Sequence, residues 1–510
     1  MVKKSILCKQ GYLLKKKYYE PETLDDLRRE LTVIPHIAGD FGAKPQKFKV
    51  FRENEEYLAL PKYYGIKRFG PADKNLELQG EKVDLKFNGE LRDYQKDIMK
   101  QIMIKINSDD GGLLSLGCGQ GKTVMGLHVA CLLKVKTLVI VHKSFLLNQW
   151  KERAEEFTNA SIGIIRQNKI DIDGKDIVIG MLQSISKEKY DEELFNDFGL
   201  VIFDEAHHAP SRYFSRSLPI IASKKTLALS ATPNRADKLE KVLFWYFGDT
   251  LYKAPRKCNE SVLVKIMKYH CCHKKFREIR NNYNGKIIMA RTLTNITKIP
   301  ERNKFISKLL VELKKEEPLR KILILGDRIE QLEKIKEKFD STETCSSDYY
   351  IGRMKMAQLK IAEEKDVIFA TYSMASEALD IPSLNTLILI TSRKNVEQSV
   401  GRILRRNDHE VQPLIVDIVD NLKVFINQGY CRRRYYKSLK YNIELCDVKD
   451  NEIINIEKLT DNKKKLTPKK NQASKIKKND IFIESDNDGE VSDAFIDSDD
   501  DEDVPQIVTT

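Results

Sequence analysis

The stretch Leu113–Thr123 reads LLSLGCGQGKT: an apolar run that breaks into three spaced glycines and ends in a lysine and a threonine. Few segments restrict a fold more. Glycine at 117, 119 and 121 permits backbone angles that side chains forbid, so successive amide N–H groups can turn inward around an anion. The pattern Gly117-x3-Gly121-Lys122-Thr123 is that of a loop holding nucleotide phosphates, with Leu116 where the strict pattern has glycine. Gly117, Cys118, Gly119, Gln120 and Gly121 form the cradle, Lys122 carries charge for the β and γ phosphates, and the Thr123 hydroxyl is placed to ligate Mg²⁺. A nucleotide and Mg²⁺ are therefore the expected cofactors. The context agrees, since the loop is entered from an apolar strand and left through the helical stretch Val124–Leu133.

Around this loop the chain alternates short apolar runs with helical stretches. A helix is expected from Leu91, in LRDYQKDIMKQIMIKI, and strands at Thr137–Val141, Asp176–Met181, Leu200–Phe203 and Thr226–Leu229. The pattern restarts after a helical connection at Glu301–Lys315, with strands at Lys321–Leu325, Asp366–Ala370, Thr386–Ile390 and Leu414–Val419. Runs rich in Val, Ile and Leu and separated by helices predict buried parallel strands. A content of 41% hydrophobic residues in 510 suffices for cores of this kind in more than one domain. The expected architecture is α/β: two tandem doubly wound parallel sheets with a cleft between them. The boundaries are an accessory domain at 1–88, an ATP-binding domain at 89–255, a connecting segment at 256–300, a second α/β domain at 301–450 and a disordered tail at 451–510.

The accessory region favours short strands and turns over long helices, because Pro and Gly recur throughout it. Its Tyr57, Tyr63, Tyr64, Lys62, Lys67 and Arg68 read either as a base-stacking, phosphate-binding surface or as ordinary core and interface. The tail has a basic run, Lys463–Lys478, then the segment Asp480–Asp503 with twelve acidic residues and no Lys or Arg. Like charges this dense repel and bury nothing, which predicts disorder. The formal charge of +13 thus leaves +25 on the remainder of the chain, suited to a polyanionic partner. Nine cysteines without repeating spacing, no signal peptide and no membrane-length apolar run lead to the expectation of a soluble intracellular protein with reduced thiols.

Further motifs carry chemistry. LVIFDEAH, Leu200–His207, is an apolar strand ending in two adjacent carboxylates, placed where open α/β sheets bind ligands. Asp204 suits Mg²⁺, and Glu205 the orientation and deprotonation of an attacking water. Together with Ser230-Ala-Thr232 and with QSVGRILR at Gln398–Arg405, these motifs occur in an order that resembles superfamily 2 helicases over about Leu91–Ile426. Leu91, Arg92, Tyr94, Gln95 and the run Thr371–Pro382 are similar to the group containing the XPB repair and transcription helicases, phage UvsW and the poxvirus transcript-release helicase. FKVFRE and PKYYG look like members from large DNA viruses.

The resemblance implies two RecA-like domains and a motor that hydrolyses ATP while moving along nucleic acid, in transcription or repair. It implies that Gln95 reads the adenine edge with Arg92 beside it, and that Asp380 also lies at the nucleotide. Arg402 and Arg405, on one side of a helix, resemble arginine fingers, with Gln398 near the γ-phosphate. His207, Ser230 and Thr232 resemble the link between hydrolysis and strand movement. Polymer contacts are expected at His142, Lys143 and Ser144, at Gln183 and Ser184, at Asp327 and Arg328, and from Thr371 to Ser376, with DNA or RNA held by its backbone regardless of sequence. The likeness further implies a monomeric motor, associated with transcription machinery and, if viral, found in host cytoplasm or nucleus and in the virion. Double-strand translocation without unwinding and a non-catalytic scaffold are the alternatives. Cys258, His270, Cys271, Cys272 and His273 invite a zinc reading, but their spacing favours packing.

Overall fold

The computed structural model describes residues 4–36, 46–117, 119–187, 190–233, 235, 237–255, 261–352, 354–377, 379, 381–403 and 410–459, the side chains of 376, 377, 402 and 403 excepted. Cys118, Asp380, Arg405 and the charged runs of the tail lie outside these residues, as does Cys258.

The phosphate-loop strand Gly111–Ser115 stands inside an eight-stranded sheet. The strand order is Lys169–Asp171, Ile162–Arg166, Ile177–Met181, Thr137–Val141, Leu200–Phe203, Lys225–Ser230, Gly111–Ser115, Thr250–Lys253. All pairings are parallel except the one between Lys169–Asp171 and Ile162–Arg166. Each of the four strands expected here forms within one residue of its expected ends. They are apolar throughout because helices such as Asp93–Asp109, Lys122–Leu133 and Ser144–Phe157 cover the sheet and bury its faces.

Strand order brings the site together. Lys225–Ser230 lies between Gly111–Ser115 and Leu200–Phe203, with Ser230 opposite Ser115 and Ala228 opposite Phe203. All three strands run the same way. Their C-terminal ends therefore deliver the phosphate loop, Ser230-Ala-Thr232 and Asp204-Glu205 to one edge.

The second eight-stranded sheet has the order Ser347–Tyr350, Val367–Thr371, Ile322–Gly326, Thr386–Leu389, Leu414–Asp420, Leu263–His270, Asn442–Lys449, Glu452–Leu459. Two of its members come from stretches given other roles by sequence. Leu263–His270, in the expected connecting segment, inserts parallel between Leu414–Asp420 and Asn442–Lys449. Glu452–Leu459, in the expected disordered tail, pairs antiparallel with Asn442–Lys449 across a turn in which Asp450 and Asn451 have φ of 48° and 73°. Consecutive left-handed residues suit a tight hairpin, which is why the chain orders for one strand beyond 451. As the edge strand it remains exposed, Ile453, Ile454 and Ile456 included.

The N-terminal unit is a five-stranded sheet, Arg52–Glu53, Tyr57–Leu60, Gly11–Lys15, Ser5–Cys8, Lys74–Asn75, with helices Pro21–Glu30 and Lys62–Phe69. Its core is continuous with Leu239 and Val242 of the first α/β domain. Gly65 permits the helix to lie on Tyr12, since a Cβ there would stand 2.3 Å from that ring. This packing overturns much of the stacking-surface reading. Tyr64 donates to Glu30 at 2.7 Å and meets Trp245 edge-on at 5.4 Å. The Tyr63 hydroxyl lies 3.2 Å from Thr226 Oγ1. Lys62 is buried between Glu77, at 2.6 Å, and the Lys224 carbonyl, at 2.8 Å. Only Lys67 and Arg68 of the helix residues face solvent.

Candidate functional site

The phosphate loop is tied at both ends. Gly119 and Gly121 have φ of 73° and 79°, as an inward-turning backbone needs. The Gln120 side chain accepts from the Gly117 amide at 2.8 Å, and the Gln120 carbonyl accepts from Gln95 Nε2 at 3.1 Å and from the Tyr94 hydroxyl at 3.2 Å. Gln95 Oε1 in turn accepts from the Arg92 amide at 2.9 Å, capping helix Asp93–Asp109. Both ends of the buried Gln95 amide are thus engaged within the chain, which makes it a brace between helix start and loop. A Cβ on Gly121 would lie 2.4 Å from Gln95 Nε2, so this brace requires glycine at 121.

Lys122 and Thr123 open helix Lys122–Leu133. The Lys122 ammonium reaches the Leu116 carbonyl at 3.4 Å and stands 3.8 Å from Glu205 Oε1. Asp204 is buried at the end of its strand, where Trp150 Nε1 donates to Oδ2 at 2.7 Å and the Glu205 amide to Oδ1 at 3.0 Å. Burial raises its carboxyl above the usual aspartate range, and the neighbouring Glu205 charge adds to this. Glu205 adopts a left-handed φ of 44°. Its Oε2 is buried and accepts no hydrogen bond among the described residues. Two carboxylates beside one lysine, one of them desolvated and the other with an orphaned oxygen, form a donor set that fits a hard divalent cation.

His207 Nδ1 lies 3.1 Å from Ser230 Oγ and 3.4 Å from Glu205 Oε2, and Ser230 Oγ accepts from the Thr232 amide at 3.3 Å. The three expected coupling residues therefore touch one another and the glutamate. Two neighbours were missed by sequence. Arg235 donates to the His207 carbonyl and pairs with Asp237, whose own carbonyl accepts from the His36 amide at 3.0 Å. His208 lies between His207 and His142, at centroid separations of 4.3 and 4.0 Å with the rings tilted by 38° and 30°. The doubled histidine after Asp-Glu-Ala was the one available signal for the latter.

The expected polymer contacts divide. Gln183 Nε2 donates to the His142 carbonyl, joining two of the loops, with Lys143 next to the junction. Ser184 is buried, and its hydroxyl accepts from the Gln167 amide at 2.9 Å. Asp327 is taken by Arg393 at 2.6 Å and by Thr391 at 2.9 Å. Arg328 reaches Thr294 Oγ1 at 3.3 Å. Ser184 and Asp327 serve the fold in this arrangement. Thr371 Oγ1 lies 3.3 Å from Ser373 Oγ, and Ser376 follows in helix Tyr372–Glu377. Gln398 and Arg402 lie four apart in helix Glu397–Ile403, hence on one face. Among the described residues there is no metal-binding group of three His, Cys, Asp or Glu, and no helix long and apolar enough to cross a membrane.

Residues 88–235 match the family described as "Type III restriction enzyme, res subunit". The chain is 36% identical over 452 residues to the putative ATP-dependent RNA helicase L396 of Acanthamoeba polyphaga mimivirus, covering 86% of each. It is 28% identical over 382 residues to the putative helicase 161L of Invertebrate iridescent virus 6, covering 70% of this chain and 82% of the relative. It is 25% identical over 416 residues to the DNA 3'-5' translocase XPB2 of Sulfurisphaera tokodaii, covering 72% and 91%.

Proposed function

The chain belongs to the superfamily 2 helicase family of its mimivirus relative, ATP-dependent motors acting on nucleic acid, and within that family we propose that Lys122, Thr123, Asp204 and Glu205 form its ATP-hydrolysing site. The observation that carries this assignment is the meeting of Lys122 and Glu205 at 3.8 Å, at the ends of two strands that are not neighbours in the sheet.

The loop amides and Lys122 grip the β and γ phosphates. Thr123 and Asp204 would hold Mg²⁺, which when bound neutralises phosphate charge. Glu205, whose buried Oε2 makes no hydrogen bond among the described residues and lies 3.4 Å from His207 Nδ1, takes the proton of the attacking water. Trp150 fixes the Asp204 carboxylate so that it does not rotate away. Arg402 and Arg405 stabilise the transition-state charge from the second domain, and Gln398 joins them at the γ-phosphate. His207 senses Glu205 and passes its position to Ser230 and Thr232, which coordinates hydrolysis with movement along the strand. Gln95 acts first as a support for the loop, with Arg92 left for the base.

The polymer is held from the first domain by the joined loops at His142, Lys143 and Gln183, and from the second by Thr371 and Ser376. The test is steady-state hydrolysis by the whole chain, without polymer and then with single- and double-stranded DNA and RNA. Glu205→Gln is expected to retain nucleotide binding and to lose about two to four orders of magnitude in polymer-stimulated kcat. Hydrolysis close to wild type in that variant removes Glu205 as the base. The polymer giving the strongest stimulation is then used in a strand-displacement assay.

A further inference from the structure

The second sheet carries a feature that the motor motifs do not use. Strand Leu263–His270 ends at the same edge as Ile322–Gly326 and Val367–Thr371, because the strands between them are all parallel. From that edge the chain runs outward into a hairpin before helix Met289–Thr297 begins, with Arg280 and Ile287 paired antiparallel.

The hairpin is held by its own polar groups. The Asn281 amide donates to the Lys286 carbonyl at 2.7 Å, and the Gly285 amide returns to the Asn281 carbonyl at 2.9 Å. Asn281 Oδ1 accepts from the Tyr283 amide at 2.8 Å, and Asn284 Oδ1 from the Lys286 amide at 3.0 Å. Arg280 donates to the Gly285 carbonyl at 3.1 Å, and Gly285 takes the left-handed φ of 67° that closes the turn. The base is anchored as well. Phe276 packs edge-on against His270 at 5.4 Å, Glu278 Oε1 accepts from the Val424 amide at 3.2 Å, and Thr292 Oγ1 from the Ile279 amide at 2.9 Å.

At the tip of this ordered turn Tyr283 is 100% exposed. Its ring contributes nothing to the core. Residues 271–291 hold six Lys and Arg against one Glu, a net charge of +5. Helix Met289–Thr297, which the hairpin leads into, touches Arg328 through Thr294, so the hairpin is joined to an element that meets an expected polymer loop. An exposed aromatic ring on an ordered, basic turn is the combination that stacks on unpaired bases and attracts the backbone joining them, and a closed duplex presents no free base face to it.

We propose that the 280–287 hairpin is a single-strand contact of this motor, with Tyr283 stacking on an unpaired base of the strand held by the second domain. The proposal rests on the helicase reading of the chain and adds to it a preference for single-stranded track. Tyr283 acts on the polymer alone and takes no part in ATP chemistry.

The test uses the whole chain with Tyr283→Ala, Tyr283→Phe and Tyr283→Trp, and with oligo-dT, oligo-U and a blunt DNA duplex as probes. Tyr283→Ala is expected to raise the single strand needed for half-maximal ATPase stimulation roughly tenfold, with hydrolysis in the absence of polymer unchanged and Tyr283→Phe restoring the wild-type value. Tryptophan at 283 is expected to be quenched by oligo-dT or oligo-U and not by the duplex, and the stronger of the two quenchers identifies the sugar preferred. Equal half-maximal concentrations in wild type and Tyr283→Ala, or an unchanged tryptophan signal at saturating single strand, overturn the proposal. Quenching in a chain whose ATPase no polymer stimulates sinks the motor reading and leaves the contact. Stimulation with a silent tryptophan sinks the contact and leaves the motor.

Discussion

The two parallel sheets share a plan and differ in what their strand ends do with charge. In the second sheet the charged groups are closed on one another. Arg432 grips both oxygens of Asp417 at 2.8 Å and donates to Ser392 at 2.9 Å, with Tyr436 also on the carboxylate at 3.2 Å. Arg302 forms a similar fork on Asp420, at 2.7 and 2.9 Å, and also donates to the Ile390 carbonyl at 2.7 Å. Asp327 is held by Arg393 and Thr391. In the first sheet the buried Asp204 has, among the described residues, only an indole and an amide for donors, and the Lys122 ammonium stands 3.8 Å from Glu205. The same architecture thus yields one edge that is internally neutralised and one that keeps charge in reserve. A buried carboxylate lacking its cation is costly to the fold, and such a cost is retained where a ligand supplies the missing partner.

That contrast can be broken most severely at Lys122. Lys122→Ala is expected to abolish measurable hydrolysis and weaken nucleotide binding while leaving thermal unfolding nearly unchanged, because among the described residues the lysine makes one hydrogen bond, at 3.4 Å. A collapse of melting temperature would place it among the structural ion pairs instead. Next is Asp417→Asn, which strands the guanidinium of Arg432 in the interior and is expected to cost about 3 to 5 kcal/mol of stability by chemical denaturation. A loss under about 1 kcal/mol would mean that the second edge is not closed in the manner described.

The opposite sign is expected at the first edge. Asp204→Asn removes a desolvated charge and keeps the shape, so the nucleotide-free protein is expected to gain roughly 1 kcal/mol even as it loses hydrolysis. A drop in melting temperature would show that the carboxylate is supported as well as those of the second sheet. The smallest effect lies on the N-terminal unit, where Lys16 and then Arg28 hold the Glu53 carboxyl below the usual glutamate range. A depressed carboxylate stabilises the fold above its ordinary pKa, and that contribution disappears as pH falls through the lower, folded value. Glu53→Gln is therefore expected to cost a few tenths of a kcal/mol at pH 7, with the difference from wild type vanishing in acid below the folded value.

Much of the first sheet was legible because its signals are local. An apolar run followed by glycines, Lys122 and Thr123 dictates strand, loop and helix within a dozen residues, and Leu200–Phe203 followed by Asp204 does so again. Glu452–Leu459 was read as tail because the charged runs follow it directly and its ordering depends on the Asp450-Asn451 turn and a partner strand. Leu263–His270 was read as a connection because two lysines and a histidine interrupt it, although its alternate residues are buried once Leu414–Asp420 and Asn442–Lys449 flank it.

The sequence by itself determined the two-sheet plan and nominated the residues proposed to carry the chemistry, since motifs and periodicity are properties of consecutive residues. Only the tertiary structure decided that strand Lys225–Ser230 would lie between the phosphate loop and Asp204, and that His208 would join His142 to His207. It also decided that Lys62, Tyr63 and Tyr64 would be spent on packing, and that Tyr283 would be held fully exposed. Strand order and burial are set by contacts between segments far apart in the chain, and no window of neighbouring residues contains them.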